Sequence, residues 1–265
     1  MEPFAVLSAS LKDNETFDYI SSVSKERYGQ YKKAHHEWIN EVEQGKYRNA
    51  LNQIRTKDEI FSAMHEKFPN STIEPVTECD EVYWSASPKE AKGSDRALVD
   101  CHYDAPFSII PTGGVVYYRI IIAINENNTV TTIFPDENKK VKMNKGDFHG
   151  LDYNKDWHCV DGSILPDTYR VLLKMHYLII PNGVSRTWVD FVRYINVQWT
   201  FGSRVTMRMS ADPQTFFEQI VALIVNVCRF IFNNTNSSLI TALFFILVAV
   251  VVGLRFGRKR FRKLL

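Results

Sequence analysis

VVYYRIIIAI, residues 115–124, decides how this chain is read. Eight of its ten residues are β-branched or aromatic, the composition of a strand. PTGG (111–114) precedes it and NENN (125–128) follows, both turn-forming. Outward from this centre the pattern repeats in VYW (82–84), ALVDCHY (97–103), TVTTIF (129–134), KVKM (140–143) and YRVLLKMHYLII (169–180), with PDENKK, NKGD and SILPD among the separators. Such a succession predicts antiparallel strands and a mainly β fold, compatible with a double-sheet jelly roll, that is, a double-stranded β-helix.

The flanks differ from this centre. From Ser24 to about Phe68 the chain is charged, and Tyr28, Tyr31, His35, Trp38 and Val42 recur at three- and four-residue steps, the face of a helix ended by Gly45. A further helix is expected from Thr56, where TKDE has capping-box spacing. Beyond the strands, 182–215 reads as β-rich. FFEQIVALIVNVCRFIF (216–232) is apolar yet carries Glu218, Asn226 and Arg229, as an interfacial helix or one arm of a membrane hairpin would. SSLITALFFILVAVVVGL (237–254) has no charge, and as a helix it would extend about 27 Å, close to a bilayer's hydrocarbon thickness. Six Lys or Arg follow it in RFGRKRFRKLL.

The expected organisation is an N-terminal helical region (1–75), a jelly-roll core (76–181), a β-rich extension or linker (182–215), an amphipathic or membrane-associated helix (216–236), a C-terminal transmembrane anchor (237–254) and a basic tail (255–265). With 32 basic and 30 acidic residues the chain has no nucleic-acid signature. Its N-terminus lacks the basic start and apolar run of a signal peptide. Four widely spaced cysteines without a CxxC indicate neither a zinc knuckle nor a disulfide framework, and they fit a reducing cytosolic face. The expectation is a tail-anchored protein whose catalytic domain is cytosolic, on the endoplasmic reticulum or the mitochondrial outer membrane. The Asn-x-Ser/Thr sequons at Asn14, Asn70 and Asn127 are then expected to carry no glycan.

His102 and Asp104, in DCHYDAPF (100–107), stand two residues apart and so on one side of a strand. Alone, such a pair is weak evidence for a metal. After it come VVYYRIIIAIN, TVTTIFP, KVKMNKGDFHGLDYNKDWHCV and PDTYRVLLKMHYLI. In order and spacing, over roughly residues 95–180, this resembles the Fe(II)- and 2-oxoglutarate-dependent dioxygenases, the prolyl 4-hydroxylase-like branch especially.

The resemblance implies Fe(II), 2-oxoglutarate and ascorbate as cofactors, with His102, Asp104 and His158 as metal ligands and catalytic residues. Two imidazoles and one carboxylate on one face of iron leave positions for the keto acid and oxygen. His149 is the rival to His158, while His176, inside an apolar strand, reads as a core histidine. Arg170 is similar in placement to the residue that binds the keto acid's distal carboxylate, a task suited to a guanidinium. Leu172 stands where many relatives carry a hydroxyl; Tyr117, Tyr118 and Thr132 are the candidates to replace it, and Tyr118 is taken as the expected cofactor contact. The expected activity is hydroxylation of a protein side chain such as proline, or of another carbon substrate, with release of succinate and CO2. The alternative is a jelly-roll membrane scaffold or binding protein without oxidative activity.

Overall fold

The computed structural model describes residues 7–31, 34–85, 101–105, 112–126, 129–162, 168–211, 213–216 and 218–223. The expected transmembrane segment and basic tail lie outside them; among the described residues no helix is long and apolar enough to cross a membrane.

Ten strands are described: β1(Leu7–Ser10), β2(His35–Trp38), β3(Ser71–Pro75), β4(Glu81–Ser85), β5(Val116–Ala123), β6(Val130–Phe134), β7(Lys139–Lys142), β8(Asp147–Asp152), β9(Cys159–Gly162) and β10(Arg170–Pro181). The larger sheet runs β1-β8-β5-β10-β4-β2, with β3 also paired to β10, and the smaller runs β7-β6-β9. Every pairing is antiparallel. A bridge between His102 and His158 lies just ahead of β9. The two sheets form an arrangement consistent with a double-sheet jelly roll.

β5 and β10 are central and buried along nearly their whole length, so their alternation divides the core in two. One face carries Val116, Tyr118, Ile120 and Ile122 with Val171, Leu173, Met175, Tyr177 and Ile179, packed under the N-terminal helices. The other carries Ile121, Ala123 and Leu172, which meet Phe134 of the smaller sheet and Val141 in the sandwich interior.

The helices are α1(Asn14–Tyr28), α2(Lys46–Arg55), α3(Asp58–Lys67) and α4(Arg186–Ala211). Asp13 caps α1 by accepting from the Thr16 N–H at 3.2 Å, and Phe17, Ile20, Ser24 and Tyr28 form its buried stripe. Here the sequence reading is corrected: the helix stops at Gly29, and His35–Trp38 is a strand on the edge of β4, not a continuing helix face. Tyr31 and His35 are nonetheless in contact, their rings stacked with centroids 4.0 Å apart. Nor does Thr56 open a helix: its hydroxyl donates to the Gln53 carbonyl at the end of α2, and α3 begins at Asp58 without a side-chain cap.

The larger correction is α4, a 26-residue helix where β-rich structure is expected. Val189, Val192, Asn196, Trp199, Thr200 and Arg204 are buried along it at helical steps. Tertiary burial overrides the β propensity of its Val, Thr and Trp residues, worth only tenths of a kcal/mol each. The buried polar members are tolerated because Asn196 donates to the Val192 carbonyl at 2.9 Å and Thr200 to the Asn196 carbonyl at 2.8 Å. After α4, Thr215 and Glu218 form a reciprocal capping box that opens a helical stretch over 218–223.

Candidate metal centre

His102 and His158 face each other across two antiparallel segments. The His102 N–H donates to the His158 carbonyl at 2.9 Å, and the His158 N–H donates back at 3.1 Å. In that register Cys101 stands opposite Cys159, and the two form a disulfide with Cα atoms 4.1 Å apart. Tyr103 and Trp157 pair on the other side, ring centroids 4.7 Å apart. Strand alternation therefore sends both imidazoles to one face and the disulfide to the other. The reading of the cysteines as unpaired is overturned: a separation of 58 residues in sequence closes to direct contact because the smaller sheet returns the chain beside itself.

Asp104 completes the cluster. His102, Asp104 and His158 offer ligand atoms all within 4.8 Å of one another. The His102 Nε2 lies 3.8 Å from Asp104 Oδ1, and the His158 Nε2 lies 3.9 Å from Oδ2. The His158 Nδ1 is 3.0 Å from the Asp156 carbonyl. A carbonyl only accepts, so Nδ1 carries the proton and Nε2 presents its lone pair to the cluster. Burial pushes the His158 pKa down to about 4, which keeps the ring neutral and able to ligate. Burial opposes the charge on Asp104, but the Arg119 guanidinium and the two imidazoles outweigh it and hold the carboxyl well below its usual range. Two neutral-capable imidazoles and one ionised carboxylate suit a divalent transition metal.

Arg170 stands at the start of β10, on the face shared by Leu172, Lys174 and His176. It is 6 % exposed, its Nε has no hydrogen-bond partner, and among the described residues no carboxylate pairs with it. Burial lowers its pKa. A buried guanidinium without a counter-ion is costly, and an anionic ligand would relieve that cost. His149 lies outside the ligand cluster. It is fully buried on β8, with Nδ1 3.0 Å from the Met143 sulfur and Nε2 unpartnered, and burial holds its pKa at about 3.

Tyr118 is corrected as a cofactor contact. It is on the helix-side face of β5, edge-on to Phe68 at 5.3 Å and packed on Gly150, where a Cβ would approach it to 2.4 Å. Of the other hydroxyl candidates, Tyr117 is on the inward face against Tyr153 and His176. Thr132 is on the buried side of β6 with Phe134, whose ring is 6.1 Å from that of His158.

The sequence reading missed three features around the centre. Arg119 donates from Nη1 to Asp104 Oδ2 at 2.7 Å. Its signal was available: it is the single charge in an apolar strand, with the same parity as Tyr117. Trp199, from the unexpected α4, donates from Nε1 to the Asp104 carbonyl at 3.1 Å. Glu81 is buried among His36, Lys174 and Arg204, with Arg204 bound through both Nε and Nη2. Burial pushes the Lys174 pKa down to about 7.

No protein-family model and no curated protein sequence matches the chain. Solved structures similar to it include the non-heme alpha ketoglutarate dependent epimerase SnoN from nogalamycin biosynthesis, at 12 % identity and TM-score 0.44, covering 68 % of this chain and 82 % of that one. A Pseudomonas putida prolyl-4-hydroxylase is similar at 10 % identity and TM-score 0.39, covering 67 % and 93 %. A prolyl hydroxylase from Trichoplax adhaerens, in complex with a hypoxia inducible factor peptide fragment, is similar at 14 % identity and TM-score 0.44, covering 64 % and 83 %. Likeness at this level assigns the chain to no family.

Proposed function

We propose that this protein is an Fe(II)- and 2-oxoglutarate-dependent dioxygenase in which His102, Asp104 and His158 hold the metal. The observation that carries this reading is the convergence of these three ligands within 4.8 Å, in a fold that also buries the Arg170 guanidinium with no carboxylate partner among the described residues. When bound, the iron supplies the redox chemistry by which O2 is divided between two products: one oxygen atom enters succinate as 2-oxoglutarate loses CO2, and the other enters a C–H bond of the substrate as a hydroxyl. Arg170 would hold the keto acid's distal carboxylate. Thr132 is the candidate to donate a second hydrogen bond there. His158 presents its unprotonated Nε2 to the cluster, while Asp104 supplies the one negative charge that would offset part of the metal's.

The proposed substrate is a protein side chain, a prolyl ring first, and the proposed attachment to a bilayer is through residues 237–254. The Cys101–Cys159 disulfide favours an oxidising compartment for the catalytic domain over the cytosol.

The test is succinate formation from 2-oxoglutarate by the full-length protein with added Fe(II), followed with and without peptide. The expected result is turnover abolished by Asp104→Ala with the fold retained, and a raised KM for 2-oxoglutarate in Arg170→Gln, which loses a partner bound in ground and transition states alike. Full succinate production by Asp104→Ala would refute the metal assignment. Metal binding without any succinate would favour a binding module.

A further inference from the structure

The carboxylate of Asp104 is gripped from the larger sheet. Arg119 stands mid-strand in β5, facing the sandwich interior, and is 2 % exposed. Its Nη1 donates to Asp104 Oδ2 at 2.7 Å and its Nε donates to His176 Nε2 at 3.0 Å, while its guanidinium carbon lies 4.4 Å from the centre of the Tyr153 ring. Since Nε can only donate, His176 Nε2 carries no proton, and the ring's proton sits on Nδ1. That nitrogen is 3.4 Å from Asp80 Oδ1, which also accepts the His176 backbone N–H at 2.7 Å. Asp80 Oδ2 is paired with Arg55 Nε at 2.6 Å. A continuous buried chain thus runs from the last turn of α2 through the larger sheet to the carboxylate of the metal cluster.

We propose that Arg119, oriented by His176 and Asp80, is a positioning residue for Asp104: it occupies Oδ2 and leaves Oδ1 to ligate a divalent cation together with the two imidazoles. This rests on the metal reading above and deepens it. A counter-ion needs only to be near its partner. Arg119 instead uses two different nitrogens on two different acceptors, with an aromatic ring beside the fork, so its plane is fixed and the carboxylate's rotation is fixed with it. Trp199 holds the Asp104 backbone carbonyl at the same time, so the side chain and main chain of this residue are restrained from opposite elements, β5 and α4.

Co(II) is a suitable probe, because both its affinity and the visible spectrum of the bound ion report ligand geometry independently of turnover. The full chain is titrated with Co(II) as wild type and as Arg119→Lys, Arg119→Met, His176→Gln, His176→Phe and Arg170→Gln, and the thermal midpoint of each metal-free variant is recorded. Loss of a group that orients a metal ligand costs roughly 10- to 100-fold in metal affinity. Arg119→Lys and Arg119→Met should weaken Co(II) by that factor and alter its spectrum. His176→Gln, whose amide oxygen can accept from Arg119 Nε, should retain wild-type affinity, whereas His176→Phe should weaken binding in the same direction as Arg119→Lys. Arg170→Gln should leave Co(II) affinity within about twofold, since that residue serves the keto acid in this reading.

A folded Arg119→Lys that melts lower but binds Co(II) with unchanged affinity and spectrum would reduce Arg119 to a counter-ion and overturn the proposal. Should the Arg119 variants fail to fold, the two His176 variants decide, and equal Co(II) affinity in both would overturn it. A wild type that does not bind Co(II), or binds it equally well as His102→Ala, would instead refute the metal centre itself.

Discussion

Replacing Cys101 and Cys159 together by serine should destabilise the protein by about 4 kcal/mol. The bond links residues 58 apart, and the loop-closure expression gives an unfolded-state entropy of about 14 cal/mol/K for a loop of that length, or about 4 kcal/mol at 25 °C. The substitution also frees the segments joined by the two His102–His158 backbone hydrogen bonds, so metal affinity should fall with stability. Equilibrium urea unfolding measures the first effect. With a slope of about 3 kcal/mol/M, the midpoint should drop by more than about 1 M. Adding reductant to the wild type should reproduce the drop, because Cys101 is exposed and within its reach. Cys79 will not compete for the disulfide, since it is buried and its thiol is pushed up to about 12. A midpoint changed by less than about 0.3 M, in both the variant and the reduced wild type, would mean that the covalent link is absent from the folded protein.

Two further outcomes follow from burial and from compartment. The metal-free protein should lose stability as pH falls from about 6.5 to about 4. Burial holds His36 and His149 at about 3 and His158 at about 4, so in that window the unfolded chain takes up their protons first and stability rises with pH. Asp152 and Asp156, raised by burial to about 6 and about 7, act in the opposite sense and make the slope shallower. Urea midpoints measured across this range test the sign, and His149→Gln should flatten the slope by that residue's share. If the domain that carries the metal cluster residues is in an oxidising secretory compartment, as proposed from the disulfide, exposed Asn70 should carry a glycan in a eukaryotic cell. A glycosidase-sensitive mass shift that disappears in Asn70→Gln is expected; a wild type without it would return the domain to the cytosolic side.

Much of the centre was legible in the sequence for local reasons. β-branched and aromatic runs bounded by turn residues mark strands because backbone preference acts over a few residues, and β5, β6 and β10 were all placed this way. The His-x-Asp spacing put His102 and Asp104 on one side of their segment because the strand period is two. The choice of His158 over His149 came from order along the chain. The structure brings His158 to the cluster and leaves His149 beside Met143.

What the tertiary structure alone decided is a matter of faces and partners. Tyr117 and Tyr118 are adjacent and chemically identical, and only the packing of α1 to α3 on one side of β5 sends Tyr118 away from the centre. The segment 186–211 has the composition of a strand, but a propensity of tenths of a kcal/mol per residue yields to the burial of Val189, Val192 and Trp199, each worth a kcal/mol or more. Cys101 and Cys159 are 58 residues apart, and nothing local to either announces the other. Arg119 and Asp104 meet for the same reason: alternation says which side of a strand a residue occupies, but the closing of one sheet over the other determines what waits there.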